Sequence, residues 1–293
     1  YPATAYLKGF LSAHGYDVCQ ADLGIELFVK LFSREGLAAI GDELESSRDA
    51  MAAGKMGVEQ VSAKFFTAQR SRYLDTIEPV IRFLQGKDPT LALRICSRTF
   101  LPEGPRLMAL AEGRTSPADD PLASAFGSLG VQDRAKYLAT YYLAEIADVI
   151  KIWIDPKFRF LAYGEALTRS SPSFEHLESQ LGSSSTLVDR ALDELTADHV
   201  RRVQPSVVGL TVPFPDNVYG AFRIAKTILA LSPAVRIVLG GGYVNTELRS
   251  LNDPRVFDYV DFITFDDGEK PLLCLLEHIA GTVTTDHLLR TLV

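Results

Sequence analysis

Between Gln204 and Gly281 the sequence alternates short apolar runs with amphipathic stretches, and that alternation limits the possible folds more than any other feature. Val207-Val208-Gly209-Leu210-Thr211-Val212 is nearly continuous in apolar side chains, the pattern of a strand covered on both faces. A helical period follows over Val218–Leu231. A second apolar run at 235–242 ends in three glycines, and a helix-like stretch surrounds Glu247-Leu248-Arg249. Tyr259-Val260-Asp261-Phe262-Ile263-Thr264-Phe265 reads as a further strand, and 270–280 as a closing helix stopped by Gly281. Strands separated by helices at this spacing imply a parallel sheet with right-handed crossovers. The expected fold is therefore α/β, an open, mostly parallel sheet.

The rest of the chain differs. Residues 3–14 form a helical period with Pro2 at its start and Gly15 as its stop. Tyr16-Asp17-Val18-Cys19-Gln20-Ala21-Asp22-Leu23 alternates like a short parallel strand ending in an acid. Helix, glycine and strand together make the second half of a βαβ unit, whose first strand is expected just upstream of Tyr1. Residues 24–204 are dominated by long helical periods, at 25–40, 58–84, 133–152 and 186–203. Breaks fall at Gly86-Lys87-Asp88-Pro89, Gly113-Arg114-Thr115-Ser116-Pro117 and Asp155-Pro156. The expected organisation is an α/β domain from 1–23 and 205–281, a large all-helical insertion or subdomain at 24–204, and the start of a linker at 282–293.

Composition excludes several function classes. A formal net charge of -7 lacks the basic footprint of a nucleic-acid binder. No apolar run reaches the roughly 18 residues of a membrane span. Cys19, Cys96 and Cys274 share no disulfide or zinc spacing, so free thiols in a reducing cytoplasm are expected, with no metal site. The histidines join no metal-ligand pattern, and no nucleophile elbow is present. No catalytic residue is assigned.

In open α/β sheets, ligands sit beyond the carboxyl ends of the strands. Three loops there carry unusual chemistry. Thr211-Val212-Pro213-Phe214-Pro215-Asp216-Asn217 is a proline-stiffened connector with Asp216 or Asn217 as helix cap; it also offers an apolar, hydroxyl-bearing wall to a flat ligand. Gly240-Gly241-Gly242-Tyr243-Val244-Asn245-Thr246 puts three glycines after a buried strand, which suits a tight turn or close approach of backbone to a phosphate or heterocycle. It matches neither the dinucleotide fingerprint nor a P-loop. Asp266-Asp267-Gly268-Glu269 precedes a helix whose N-terminus favours acids.

As a set, Val208-Gly209-Leu210-Thr211, Leu239-Gly240-Gly241-Gly242-Tyr243 and Asp261-Phe262-Ile263 with Asp267-Gly268-Glu269-Lys270-Pro271-Leu272 resemble the N-terminal cobalamin-binding domain of cobalamin-dependent radical SAM proteins. The opening 2–18 is similar to that family's first helix and second strand. The resemblance implies a Rossmann-like (flavodoxin-like) sheet and cobalamin held by Thr211, Val212, Pro213, Gly240, Gly241, Gly242, Tyr243, Gly268 and Glu269. The iron–sulfur motif Cys-x-x-x-Cys-x-x-Cys is absent from the sequence. S-adenosylmethionine and a 4Fe-4S cluster are thus expected only in a radical SAM barrel beyond Val293, the partner that this non-catalytic domain would serve, in methyl transfer or another radical reaction. The motif Asp-x-His-x-x-Gly, which would supply histidine to cobalt, is absent too. Two other readings stay open. One is a nucleotide or small-molecule site with Asp266, Asp267 and Glu269 on magnesium. The other is a degenerate cofactor domain kept as an interaction module.

Overall fold

The computed structural model describes residues 2–46, 58–110, 130–158, 174–249, 252–266 and 268–293. The expected break at 113–117 and Asp267 lie outside the described residues. The chain divides into two compact units. A sheet unit contains Tyr1–Ile25, Ala162–Ser185 and Leu192–Val293; a helical unit contains Glu26–Leu161 and Thr186–Ala191. These bounds differ from the expected 23/24 and 204/205: among the described residues, 174–185 and 192–204 cluster with the sheet.

The first helix, α1 (Pro2–Ala13), forms as the sequence suggests. The strand expected at 16–23 does not. Residues 16–22 pair with no other strand and are mostly exposed, and the Gln20 side chain folds back to donate to the Thr4 hydroxyl at 2.6 Å. Asp22, read as the acid ending that strand, accepts from the Ile25 N–H at 3.0 Å and so caps α2 (Leu23–Leu31).

In the helical unit, the period at 25–40 is two helices, because Ser33 intervenes. Its hydroxyl donates to the Lys30 carbonyl and accepts from the Gly36 N–H at 3.0 Å, so one side chain closes α2 and opens α3 (Arg34–Ser46). The period at 58–84 likewise splits at Gln69 into α4 (Val58–Ala68) and α5 (Arg70–Leu84). The short helices α6 (Leu91–Cys96) and α7 (Pro105–Ala109) lead to α8 (Val131–Val149), which runs into a π-helical turn at Ile150–Ile154. Asp155 ends that turn in extended conformation, at the break expected there. The core is apolar and aromatic: Phe32, Leu37, Ile40, Phe66, Tyr73, Ile77, Leu138, Tyr142 and Ile146 are each at most 1% exposed. Ala135 and Ala139 on α8 bury small side chains, which lets neighbouring helices approach closely. Each fully buried large side chain contributes about 2 kcal/mol by removal from water.

The sheet unit continues with α9 (Phe174–Gly182) and α10 (Leu187–Val203), whose first turn and a half belongs to the helical unit. Then come β1 (Val207–Thr211), α11 (Val218–Leu231), β2 (Arg236–Gly240), α12 (Gly242–Glu247), β3 (Phe262–Thr264), α13 (Glu269–Ile279) and β4 (Thr291–Leu292). The sheet order is β1-β2-β3-β4. The first three strands are parallel, with Thr211 opposite Gly240 and Leu239 opposite Ile263; β4 is antiparallel to β3. The fold is thus α/β with an open, mostly parallel sheet. Residues 282–293, expected to start a linker, supply its last strand.

Alternation along β2 covers both sheet faces. Ile237 and Leu239 join the larger cluster with Val218, Phe222 and Ile228 of α11, while Val238 packs with Phe262 and Leu275 of α13. A ring cluster of Phe174, Phe222 and Tyr259, with centroids 5.7–6.0 Å apart, pins α9 to α11. β1 departs from the expected two-sided burial: among the described residues it is the edge strand, and Gly209 is exposed. The Ser206 carbonyl accepts from Arg236 and the Val212 N–H donates to Gly240. Residues along a parallel strand face alternate neighbours, so the backbone groups of Val207, Gly209 and Thr211 point away from β2. No described helix is long and apolar enough to cross a membrane.

Candidate functional site

The carboxyl edge of the parallel strands gathers most of the sequence-derived candidates. The last residues of β1, β2 and β3 are Thr211, Gly240 and Thr264, a row of small residues across the edge. A methyl group on Gly240 would lie 3.1 Å from the Thr264 hydroxyl.

The β1 and β2 exits are bonded to each other. The Val212 N–H donates to the Gly240 carbonyl at 2.7 Å, and the Tyr243 N–H donates to the Val212 carbonyl at 3.1 Å. Gly241 has φ +112°, and a side chain there would meet the Val212 backbone at 2.6–2.9 Å. A methyl on Gly242 would sit 3.2 Å from the Pro213 carbonyl. The missing side chains at 241 and 242 thus admit the neighbouring loop of the same chain, as a tight turn requires. Two further candidates are core residues rather than rim residues: Val212 is 1% and Tyr243 7% exposed. Burial, with Glu247 nearby, raises the Tyr243 phenol above its ordinary pKa. Thr211, Pro213 and Gly240 are half-buried, and Gly242 is exposed. Neither Asp216 nor Asn217 caps α11 through its side chain; Pro215–Asn217 forms a 3-10 turn instead.

At the β3 exit, Gly268 takes a left-handed conformation at the start of α13, and its Cα faces Leu7 of α1. Glu269 is half-buried in the first turn. Asp266, weighed above as a magnesium ligand, is committed elsewhere. Its Oδ1 accepts from Arg249 and its Oδ2 from Arg290, while its backbone pairs with the Asn245 side chain in both directions. Partial loss of water would raise the Asp266 carboxyl, but Arg249 and Arg290 outweigh that and hold it below the usual carboxylate range. Among the described residues no group of three His, Cys, Asp or Glu side chains converges to hold a metal ion.

Sequence reasoning missed Asn245, Arg249 and Arg290 as partners of this edge. Asn245 belongs to the glycine-run motif, but its link to residue 266 is tertiary. Arg290 sits in the segment read as linker and is placed by β4. No family model matches the chain, and neither a curated protein nor a solved structure is significantly similar to it.

Two other polar features lie away from the edge. An open groove of about 680 Å³ in the sheet unit is lined by Asp193, Asp198, Arg201, Arg223, Lys226 and Leu231. Its charges serve packing: buried Arg223 is bidentate to Asp193, and Lys226 donates to the Leu181 carbonyl at 2.6 Å. In the helical unit, Glu145 is 2% exposed, and neither carboxylate oxygen completes a hydrogen bond of good geometry, though the amides of Gly104 and Arg106 act on the group. A side chain on Gly104 would collide with its Oε1, so glycine at 104 makes the room. Burial pushes the Glu145 carboxyl up to about 7, against the amides of Gly104 and Arg106 and the Arg106 charge.

Proposed function

We propose that the sheet unit is a Rossmann-like, flavodoxin-like carrier domain that holds cobalamin at the carboxyl edge of its sheet and presents it to a radical SAM barrel. One observation carries the reading: the row Thr211, Gly240 and Thr264 leaves the ends of three parallel strands free of bulky side chains at the edge where such sheets receive ligands. The residue types fit the group. Glycine and threonine let a wide heterocycle lie close to the strand ends, and the half-buried Thr211 and Pro213 flank it. Cobalamin would contribute the cobalt-centred chemistry. Thr211, Gly240, Gly242 and Glu269 would bind and orient it; Val212, Gly241 and Tyr243 hold the two loops in register. S-adenosylmethionine and the iron–sulfur cluster are assigned to the barrel and to no residue of this chain.

The reading is tested by titrating the chain with hydroxocobalamin and following its visible spectrum. Saturable binding is expected. Gly240→Val is the diagnostic variant. Gly240 is not among the positive-φ residues, and a Cβ there meets the Thr264 hydroxyl at 3.1 Å and carbonyl at 3.5 Å, so the branched side chain fills the rim, and an unchanged circular dichroism spectrum is the control for folding. It is expected to weaken binding at least about tenfold, which corresponds to roughly 1.4 kcal/mol. A folded wild-type chain that leaves the spectrum unchanged overturns the cobalamin reading.

A further inference from the structure

We infer that Arg249 and Arg290 form an anion subsite at this edge and that the ligand presents a phosphate ester to it. The inference rests on the edge being a ligand site. The two guanidinium groups come from different places, the turn after α12 and the bend before β4, and converge on the single carboxylate of Asp266. Arg249 also donates from Nε to the Asn245 carbonyl at 2.9 Å and lies over the Phe265 ring, 5.4 Å from its centroid. Asp266 is itself fixed in a left-handed conformation, φ +64°, by Asn245. Arg249 is therefore held by three contacts and Arg290 by its ion pair to the same carboxylate, while their side chains remain 53% and 64% exposed.

Charge and hydrogen-bond balance point outward. In the ion pairs themselves two cations share one carboxylate. A guanidinium has five N–H donors. Arg249 uses Nε and one Nη2 hydrogen in the bonds described, and Arg290 one Nη1 hydrogen. The remaining donors lie on two planar forks that share one carboxylate. Like charges drawn together favour a second anion, and paired guanidinium forks match phosphate oxygens better than an ammonium would. The subsite adjoins the β2 and β3 exits, since Asn245 belongs to the helix beginning at Gly242 and Asp266 follows Phe265. Cobalamin carries a phosphodiester in its nucleotide loop; a free nucleotide offers the same chemistry from another source.

The test compares three probes on the full chain: hydroxocobalamin, cobinamide (which lacks the phosphodiester) and ADP. Arg249→Gln and Arg290→Gln are each expected to raise the cobalamin Kd about tenfold while leaving the cobinamide Kd unchanged, because a hydrogen bond to a charged group is worth about that factor. The lysine variants, which keep charge but lose the fork, are expected to fall between and give the readout if a glutamine variant fails to fold. If ADP binds with the same arginine dependence and cobalamin does not, the subsite stands and the cobalamin reading falls. If cobalamin binds and the variants alter neither corrinoid, or both equally, the subsite falls and the cobalamin reading stands. If no probe binds, both fall.

Discussion

Gly240 and Gly241 are neighbours in sequence, but the demands on them differ. Gly241 has φ +112° and lies against the Val212 backbone, so Gly241→Ala imposes an unfavourable conformation and a collision together. We expect it to destabilise the chain by about 3 kcal/mol, read as a lowered denaturant midpoint. Gly240 lacks the positive φ, and a Cβ there would press on the Thr264 hydroxyl rather than collide with backbone, which is why its substitution tests binding instead. Glu145 gives the residue-scale prediction for pH. Its folded carboxyl titrates near 7, above the ordinary 4.5, so folding favours the protonated form. That contribution is complete below about pH 4.5 and is lost as pH rises through about 7. The interval corresponds to roughly 3 kcal/mol. Urea melts between pH 4.5 and 8 should show stability falling with pH on this account, and Glu145→Gln should flatten that slope. A slope that survives the substitution would place its origin elsewhere.

Elements read correctly from sequence are those whose own residues suffice to define them. The Val218–Leu231 stripe puts Val218, Ala221, Phe222, Ala225 and Ile228 on one buried face, and α11 forms with those limits. The apolar run at 236–240 likewise becomes the buried strand β2. Elements misread are those decided by distant partners. Residues 16–22 alternate like a strand, but a strand exists only through a ladder, and Asp22 serves the next helix. β4 is two residues long and has no legible pattern; its pairing with Ile263 and Thr264 creates it. The site divides in the same way. Thr211 and Gly240 were legible as strand ends, whereas the link from Asp266 to Arg249 and Arg290 needed the fold. β1 allows an element-scale check by amide exchange. The outward N–H groups of Val207, Gly209 and Thr211 should exchange faster than those of Val208 and Leu210, which face β2.

At the scale of the whole molecule, neither unit is a continuous stretch of chain. The core of the sheet unit includes Leu177 and Leu181 of α9 and Val200 of α10, all upstream of the first strand. A fragment of residues 205–293 loses those three buried side chains, worth about 6 kcal/mol together, a large part of the stability of an ordinary domain. We expect it to lack a cooperative thermal transition, and the full chain to show one; circular dichroism on heating separates the cases. The two borders of the sheet also differ in what they permit. On one side the last strand is a two-residue stub, too short to template another chain. On the other, the outward backbone groups of Val207, Gly209 and Thr211 meet no strand among the described residues, and the run has no lysine, proline or bulge of the kind that usually blunts such a margin. Among the described strands, enlargement of this sheet is consequently directional: the margin beside Gly209 can take a further strand, and the stub cannot.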